Sequence, residues 1–574
     1  MSEKTRDILI VAVVMVLSIM AYASTLTHEL VWDDIGVVRY IDSTVKESGL
    51  PALLSSQFAT HIEEGYVSGY YRPVVVTSLW FDSLINNFFP YIYHLTNILL
   101  HALNTLLVFI LLRFMIAQYG AAVGAMIFAV HPVHSESVAF VSGRTDLWAA
   151  FFLLLAVITW IRERNGLSPA PARERFWSFA AFFMACLSKE TAILLPAVLL
   201  VWEAVVPGSD PAGKAAWWSR NRKWVLGWAL VLACVLVLRF LVFGADLGLD
   251  QSRSGPLSSA KSSSGLLMIG RMLLVYLRLL ALPWPLKIYY GPAELTITWL
   301  VVLGTVLFML MVLYTYRRCA RSGAVQSVVW IFLFLVPVLA LEARGGALLA
   351  ERFLYIPSVG FCLMAGVLAA VINIDSRVVN AGIGLLIAIM LVGSMKQSAV
   401  WKNEITLFSE HIKVAPTVIN GHYNLGNAYS AKGRQLDAVR EYRGVVASDP
   451  DHYKAWFNMG NSLAALKRYE EAAEAFRQAL RIEPELIAGY VNLGVTLMKA
   501  GEFEKSASVY RKGLDLAPGD TRLNLGLILV YLEAGNRQAA EDHIRKLEKE
   551  DKSLAGIINK FLLENHVENP QHSP

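Results

Sequence analysis

Eleven stretches of this chain are apolar enough to sit in hydrocarbon, and they limit what the rest can become. A bilayer core about 30 Å thick needs roughly 20 mostly apolar residues per helix. The runs are 8–26, 92–116, 118–134, 144–161, 176–188, 191–206, 224–243, 297–316, 325–342, 354–372 and 379–395. Inside lipid every backbone N–H and C=O must be paired within its own segment, so the runs predict the helices of a polytopic all-α bundle. Composition agrees: 17% of the 574 residues are charged, against about 25% in a soluble domain. A soluble enzyme and a disordered chain are both excluded. The net charge of +5 is small for this length and gives no reason to expect a nucleic-acid partner. Cys186, Cys234, Cys319 and Cys362 fall in or beside apolar runs, so neither a disulfide nor a Cys-ligated metal is expected.

Basic residues set the orientation. Lys4 and Arg6 precede the first run. Arg162, Arg164, Arg173 and Arg175 share one short loop, Lys214, Arg220, Arg222 and Lys223 another, and Arg317, Arg318 and Arg321 a third. Cytoplasmic loops are enriched in such residues. Alternation satisfies all four groups if a twelfth apolar segment, 265–283 with Arg271 and Arg278, does not cross. It is read as an amphipathic helix in the outer interface. The N-terminus is then inside, the C-terminus outside, and there are about 11 spans. Were 265–283 to cross, the C-terminal region would be cytoplasmic. Residues 1–23 also resemble a cleavable leader ending at Ala21-Tyr22-Ala23.

From Trp401 onward a 34-residue period appears. Pro416, Pro450, Pro484 and Pro518 keep it, as do Gly426, Gly460 and Gly494. So do Ala438, Ala472, Ser506 and Ala540, and Tyr442, Phe476, Tyr510 and Ile544. This is the tetratricopeptide-repeat period, two helices per unit stacking into an α-solenoid. The fourth copy is weaker, with Ile528 at the Gly position. Residues 401–416 read as the second helix of a partial repeat. The expected domains are therefore 1–400, a transmembrane part with an outer loop 27–91 and an interfacial segment 244–296, then a repeat domain 401–564 and a flexible tail 565–574. The solenoid's concave side suits a peptide or protein partner. A rigid spacer or a dimer contact is the alternative.

On this topology the outer loops carry five polar clusters: Trp32-Asp33-Asp34; Tyr70-Tyr71-Arg72-Pro73; His131-Pro132-Val133-His134-Ser135-Glu136 with Arg144-Thr145-Asp146; Ser188-Lys189-Glu190; and Arg344 with Glu351-Arg352-Phe353-Leu354-Tyr355. Each has a structural alternative. Paired Asp residues cap helices, and Lys–Glu or Arg–Asp pairs form interfacial ion pairs. Collectively they are candidates for function, because ionisable groups at membrane depth are costly. They suit transfer from a lipid phosphate. Arg144, Lys189 and Arg352 offer cations for the leaving phosphate, and a carboxylate is the natural base for an acceptor hydroxyl. Asp33 is the candidate base, with Asp34 orienting it. The acidic pair could also bind a divalent metal, since carboxylate oxygens suit Mg²⁺ or Mn²⁺.

The chain resembles the transmembrane and tetratricopeptide-repeat O-mannosyltransferase family, within the GT-C glycosyltransferases. The resemblance rests on "VWDD" at 31–34, "YYRPV" at 70–74, "HPVHSESVAFVSGRTDL" at 131–147, "LSKE" at 187–190, "ERFLYIPS" at 351–358 and the repeats. It implies a polyprenyl-phosphate sugar as donor, inversion at the anomeric carbon and mannose transfer to Ser or Thr. It places the acidic pair at Asp33 and Asp34. His131, His134, Glu136, Asp146 and Glu190 would complete the donor site with the cations, and Tyr70, Tyr71 and Arg72 would shape the acceptor entrance. The eukaryotic members lie in the endoplasmic reticulum and carry more repeats than the four here, which favours a prokaryotic cell membrane with the repeats outside. Two other classes stay open at this point. One is a membrane scaffold whose repeats do the work. The other is a transporter, which should place its ionisable groups near the midplane. The acceptor could also be a glycan or a lipid.

Overall fold

The computed structural model describes residues 2–55, 70–86, 89–205, 213–244, 265–287, 290, 297–318, 321–342, 349–371, 377–416 and 418–564. Arg344, the tail 565–574, and parts of the outer loop and of segment 244–296 lie outside these. The chain forms two compact units, Met1–Leu407 and Phe408–Pro574.

In the first unit the helices are α1 (Glu3–Tyr22), α2 (Asp33–Leu54), α3 (Pro73–Asn86), α4 (Pro90–Met115), α5 (Gln118–Val130), α6 (Ser135–Ala139), α7 (Arg144–Arg164), α8 (Pro171–Cys186), α9 (Leu195–Val205), α10 (Gly213–Phe243), α11 (Gly265–Ala281), α12 (Trp299–Arg318), α13 (Arg321–Glu342), α14 (Pro357–Val371) and α15 (Arg377–Val400). All eleven apolar runs are helical over most of their described residues. Among the described residues, six helical stretches are long and apolar enough to cross a membrane: Glu3–Thr27, Pro90–Met115, Val141–Arg164, Arg220–Phe243, Trp299–Arg317 and Arg377–Val400. Helices α5, α13 and α14 are shorter apolar ones beside them. The long helices divide by packing. The apolar window of α7 is 72% buried and that of α4 56%, whereas α10 keeps only 11% buried. Large side chains such as Leu230 and Leu241 stand bare on α10. A face of that kind is stable only against lipid.

Contacts fix which helix ends share a side. One end gathers the polar clusters. There Asp34 meets Ser142, Glu136 meets Arg352, Asp146 meets Lys189 and Ser394 donates to the Val130 carbonyl. The opposite end gathers the basic loops. Arg113 pairs with Glu3, Arg164 and Arg220 with Glu203, and Arg175 with Glu163. Helix α10 therefore starts at the basic end and finishes at the polar end, where Arg239 faces Glu190. The chain resumes at the polar end too, because Gly304 near the start of α12 packs on Arg278. That parity is what a non-crossing α11 requires. Arg278 itself does not lie in a lipid interface as the sequence suggests. It is buried and donates to the Trp284 carbonyl at 2.6 Å, while Arg271 is exposed. Glycines allow one close helix crossing: a Cβ on Gly120 of α5 would stand 2.3 Å from the Gly366 carbonyl of α14.

The second unit pairs α17 (Ile419–Ala431) with α18 (Gln435–Ser448), α19 (Tyr453–Ala465) with α20 (Tyr469–Ile482), α21 (Ile487–Lys499) with α22 (Phe503–Leu516), and α23 (Thr521–Glu533) with α24 (Arg537–Glu550). Helix α16 (Glu404–Val414) precedes them and α25 (Lys552–Glu564) follows. The 34-residue period has a direct cause. Gly426, Gly460 and Gly494 each press on the ring sixteen residues later, where an added Cβ would sit 2.7, 2.7 and 2.5 Å from a carbon of Tyr442, Phe476 and Tyr510. In the fourth copy that pairing becomes Ile528 with Ile544, both buried.

Candidate active site

The acidic pair sits on a turn. The Val31 carbonyl accepts from the Asp34 N–H at 3.1 Å. Trp32 holds φ 55°, ψ −122°, the first inner position of a type II′ turn, where glycine is the usual residue. A bulky side chain there costs about 1–3 kcal/mol and persists only where neighbours hold it. Trp32 is so held: its indole stacks on Phe140, which stacks on Trp401, with centroids 5.9 and 5.2 Å apart.

The two carboxylates have different surroundings. Asp34 is fully buried. Its Oδ1 accepts from the Ser142 N–H at 2.7 Å and the Ser142 hydroxyl at 2.6 Å. Its Oδ2 accepts from the N–H groups of Val141 and Val31 at 3.2 and 3.4 Å. Burial pushes its carboxyl up to about 7, and those donors pull the other way. Asp34 thus ties the start of α2 to the turn before α7. Asp33 is half-buried. Burial pushes its carboxyl up, and the Arg352 guanidinium opposes that.

Three cations from separate elements, Arg352, Lys189 and Arg72, lie near one another, and the first acts on Asp33. Arg352 gives Glu136 its side chain at 2.5 Å and its backbone N–H at 2.9 Å. Lys189 pairs with Asp146 at 2.5 Å. The Phe353 ring lies between the two, 4.9 Å from the Lys189 Nζ and 5.3 Å from the Arg352 Cζ. Burial pulls the Lys189 ammonium down, opposed by Asp146, with Arg72 and Arg352 adding repulsion. Arg72 stands over the Tyr70 ring at 4.3 Å and donates to Glu190 at 2.9 and 3.3 Å. The Glu190 carboxylate also faces Arg239 at 3.7 Å. Arg72, assigned by resemblance to the acceptor entrance, therefore belongs with the cations.

Other expected site residues are sealed away. Arg144 is fully buried and enclosed by protein. It pairs with Asp82 at 2.6 Å and donates to Asn97 at 2.7 Å and the Tyr93 carbonyl at 2.8 Å. It fastens α7 to α3 and α4 and presents no donor to a ligand. His131 and His134 are likewise buried and engaged. His131 Nε2 lies 3.0 Å from the Leu280 carbonyl. His134 lies 3.0 Å from the Phe128 carbonyl and 2.8 Å from the Ser358 hydroxyl. Both stitch helix ends together. Tyr71 is buried, with 8% exposed. Among the described residues no group of three or more His, Cys, Asp or Glu could hold a metal. With both Asp34 oxygens taken by N–H and O–H donors, the acidic pair does not fit one.

Two participants escaped the sequence reading, and Glu351 of the fifth cluster was named without a role. Arg239 is a cation near the end of an apolar run, a signal that was available. Asp82 lies in an apolar helix and could have been matched to Arg144 by the same rule. Glu351 accepts from the Tyr290 hydroxyl at 2.8 Å and the Lys287 N–H at 2.5 Å. Burial and then the nearby Glu136 push its carboxyl up to about 8.

These features define a polytopic helical unit with a paired-cation, acidic site at one end, followed by a repeat solenoid. The repeats match the tetratricopeptide-repeat family over residues 423–486 and 463–523. Over most of its length the chain is similar to proteins named protein O-mannosyl-transferases. It is 26% identical to F38B6.6 of Caenorhabditis elegans over 79% of this chain and 64% of that one. It is 26% identical to TMTC4 of Homo sapiens over 74% and 64%, and 24% identical to TMTC1 of Mus musculus over 76% and 58%. The matches thus take in less than two thirds of these relatives' own length. The resemblance carried by the motifs is borne out by these relatives. Among solved structures, the crystal structure of MamA protein aligns with 26% identity and a TM-score of 0.25, covering 26% of this chain and 81% of that one.

Proposed function

We propose that the chain is an inverting glycosyltransferase that moves a sugar, mannose by the names of its relatives, from a polyprenyl phosphate to a protein Ser or Thr hydroxyl. The observation that carries this reading is the half-buried Asp33 carboxylate, electrostatically coupled to Arg352 beside Lys189. Asp33 takes the proton of the acceptor hydroxyl as that oxygen bonds to the anomeric carbon. The bond from that carbon to the phosphate oxygen breaks on the opposite side. The leaving polyprenyl phosphate gathers charge, and Lys189, Arg352 and Arg72 neutralise it from fixed positions. Their own carboxylates, Asp146, Glu136 and Glu190, keep the cations aimed before donor arrives. The basic loops mark the cytoplasmic side, so the site lies on the outer or lumenal face and the repeats, outside, recruit the acceptor.

The test uses the full-length protein in nanodiscs with polyprenyl-phosphate mannose and a Ser/Thr-rich peptide. A mass gain of one hexose per modified residue, with release of polyprenyl phosphate, is expected. Hydrolysis without transfer would point to a wrong acceptor. No consumption of the lipid donor by folded protein would sink the enzymatic reading and leave the repeats as the working part.

A further inference from the structure

We propose that Glu404 is a positioning residue for Asp33, acting through the strained Trp32. This rests on the function proposed above. The turn that carries Asp33 is unfavourable for its own sequence, so something outside it must hold it. Residues 401–404, just after α15, do so with three contacts, one of them through Phe140. The Glu29 N–H donates to the Lys402 carbonyl at 2.9 Å. The Trp32 N–H donates to Glu404 Oε1 at 3.3 Å. Trp401, buried, closes the stack with Phe140 and Trp32. A carboxylate accepting from a backbone N–H is a charge-assisted bond. Here it grips the amide plane that joins Val31 to Trp32, one residue before the base.

Release of that grip frees Trp32 to leave its left-handed conformation. The Trp32–Asp33 peptide then rotates and Asp33 is displaced, while Asp34 stays fixed by Ser142 and Val141. The cations keep their own ion pairs, so donor binding is unaffected and the chemical step suffers. A displacement of about 1 Å at a reacting group costs roughly 100-fold in rate. Glu404 also opens α16, the last helix before the repeats. The base is therefore held by the segment that leads into the solenoid, some 370 residues further along the chain.

The experiment compares Glu404→Ala, Glu404→Gln and Trp32→Gly/Glu404→Ala in the full chain. Two readouts are taken: steady-state transfer to a short peptide, and amide hydrogen exchange of residues 29–36. Glu404→Ala should lower kcat by at least about 10-fold with the donor KM unchanged, and should speed exchange at the Trp32 amide. Glu404→Gln keeps the acceptor oxygen and should restore most of both. Glycine adopts the turn without help, so in the Trp32→Gly background the alanine change should cost markedly less than in wild type. Wild-type kcat and exchange in Glu404→Ala would overturn the proposal, as would a glutamine variant as impaired as alanine. If wild type shows no transfer but Glu404→Ala still speeds Trp32 exchange, the clamp stands and the glycosyltransferase reading falls. If neither Glu404→Ala nor Glu404→Gln folds, the comparison of Trp32→Gly/Glu404→Ala with Trp32→Gly decides: a double variant that also fails to fold where Trp32→Gly folds would overturn the proposal.

Discussion

Asp33→Asn and Asp34→Asn should fail in opposite ways, and the contrast follows from what each carboxylate touches. Asp33 has its charge opposite Arg352. Its amide keeps the shape and removes the basic oxygen. A positioned general base contributes about 10²–10⁴ in rate, so turnover should fall at least 100-fold, about 2.7 kcal/mol of barrier. Stability and donor binding should stay near wild type. Each Asp34 oxygen accepts from two donors. Its amide has one acceptor oxygen, so one pair of donors then faces an NH₂ group. In the better orientation the Ser142 hydroxyl turns and accepts, and its N–H is left facing the amide. A lost bond to a charged acceptor costs about 1.5–3 kcal/mol, against a total stability of about 5–15 kcal/mol. Asp34→Asn should therefore unfold markedly earlier, and its turnover should drop because α2 slips from the turn before α7. The assays are single-turnover transfer in nanodiscs and thermal melts of the same samples. The reasoning is refuted if Asp33→Asn keeps wild-type turnover, or if Asp34→Asn melts like wild type.

Arg144→Ala should behave as a structural lesion: breaking a buried pair costs about 3–5 kcal/mol, so melting falls while the donor KM of the folded fraction is unchanged. Lys189→Ala should add a binding loss: its pair with Asp146 is buried too, so melting falls as well, but donor KM also rises roughly 10- to 100-fold, as losing a contact of about 1.5–3 kcal/mol implies, read by titration with polyprenyl phosphate. Glu351 has a folded-state value raised to about 8 from an ordinary 4.5, so its stabilising effect is present at low pH and lost as pH rises through about 8. Melting temperature should decline between about pH 5 and 8 and level off above that, and Glu351→Gln, which stays neutral, should flatten the decline. Gly460→Ala puts a methyl 2.7 Å from the Phe476 ring and should destabilise the repeats by about 1–3 kcal/mol, seen as faster exchange in α19 and α20.

The helices and the repeats were legible because each depends on a local period. An apolar run of bilayer length is helical whatever surrounds it, and the Gly–aromatic pairing of the solenoid recurs within one 34-residue unit. The relative ends of the helices were also within reach, through the basic loops. The conformation of Trp32 was not. Propensity puts glycine at that position of the turn, and the residues that overrule it, Phe140, Trp401 and Glu404, come from more than a hundred to nearly four hundred positions away. Local reasoning correctly fails where tertiary contacts impose a cost for the sake of geometry.

The cations show the same limit more sharply. Arg144, Lys189 and Arg352 read alike in the sequence, each in a polar string at a helix end, and all three are ion-paired in the structure. They differ in what stands opposite. Arg144 faces Asp82, Asn97 and the Tyr93 carbonyl and has no solvent exposure. Lys189 and Arg352 share one aromatic ring and repel each other. Like charges held close in a partly desolvated place cost free energy that a phosphate would recover on binding. A fully satisfied arginine has nothing to recover. What sets Lys189 apart from Arg144 is therefore the neighbouring cations Arg72 and Arg352, which press on it although it keeps its own carboxylate, Asp146. That depends on which helix ends the fold brings together, and no spacing along the chain encodes it.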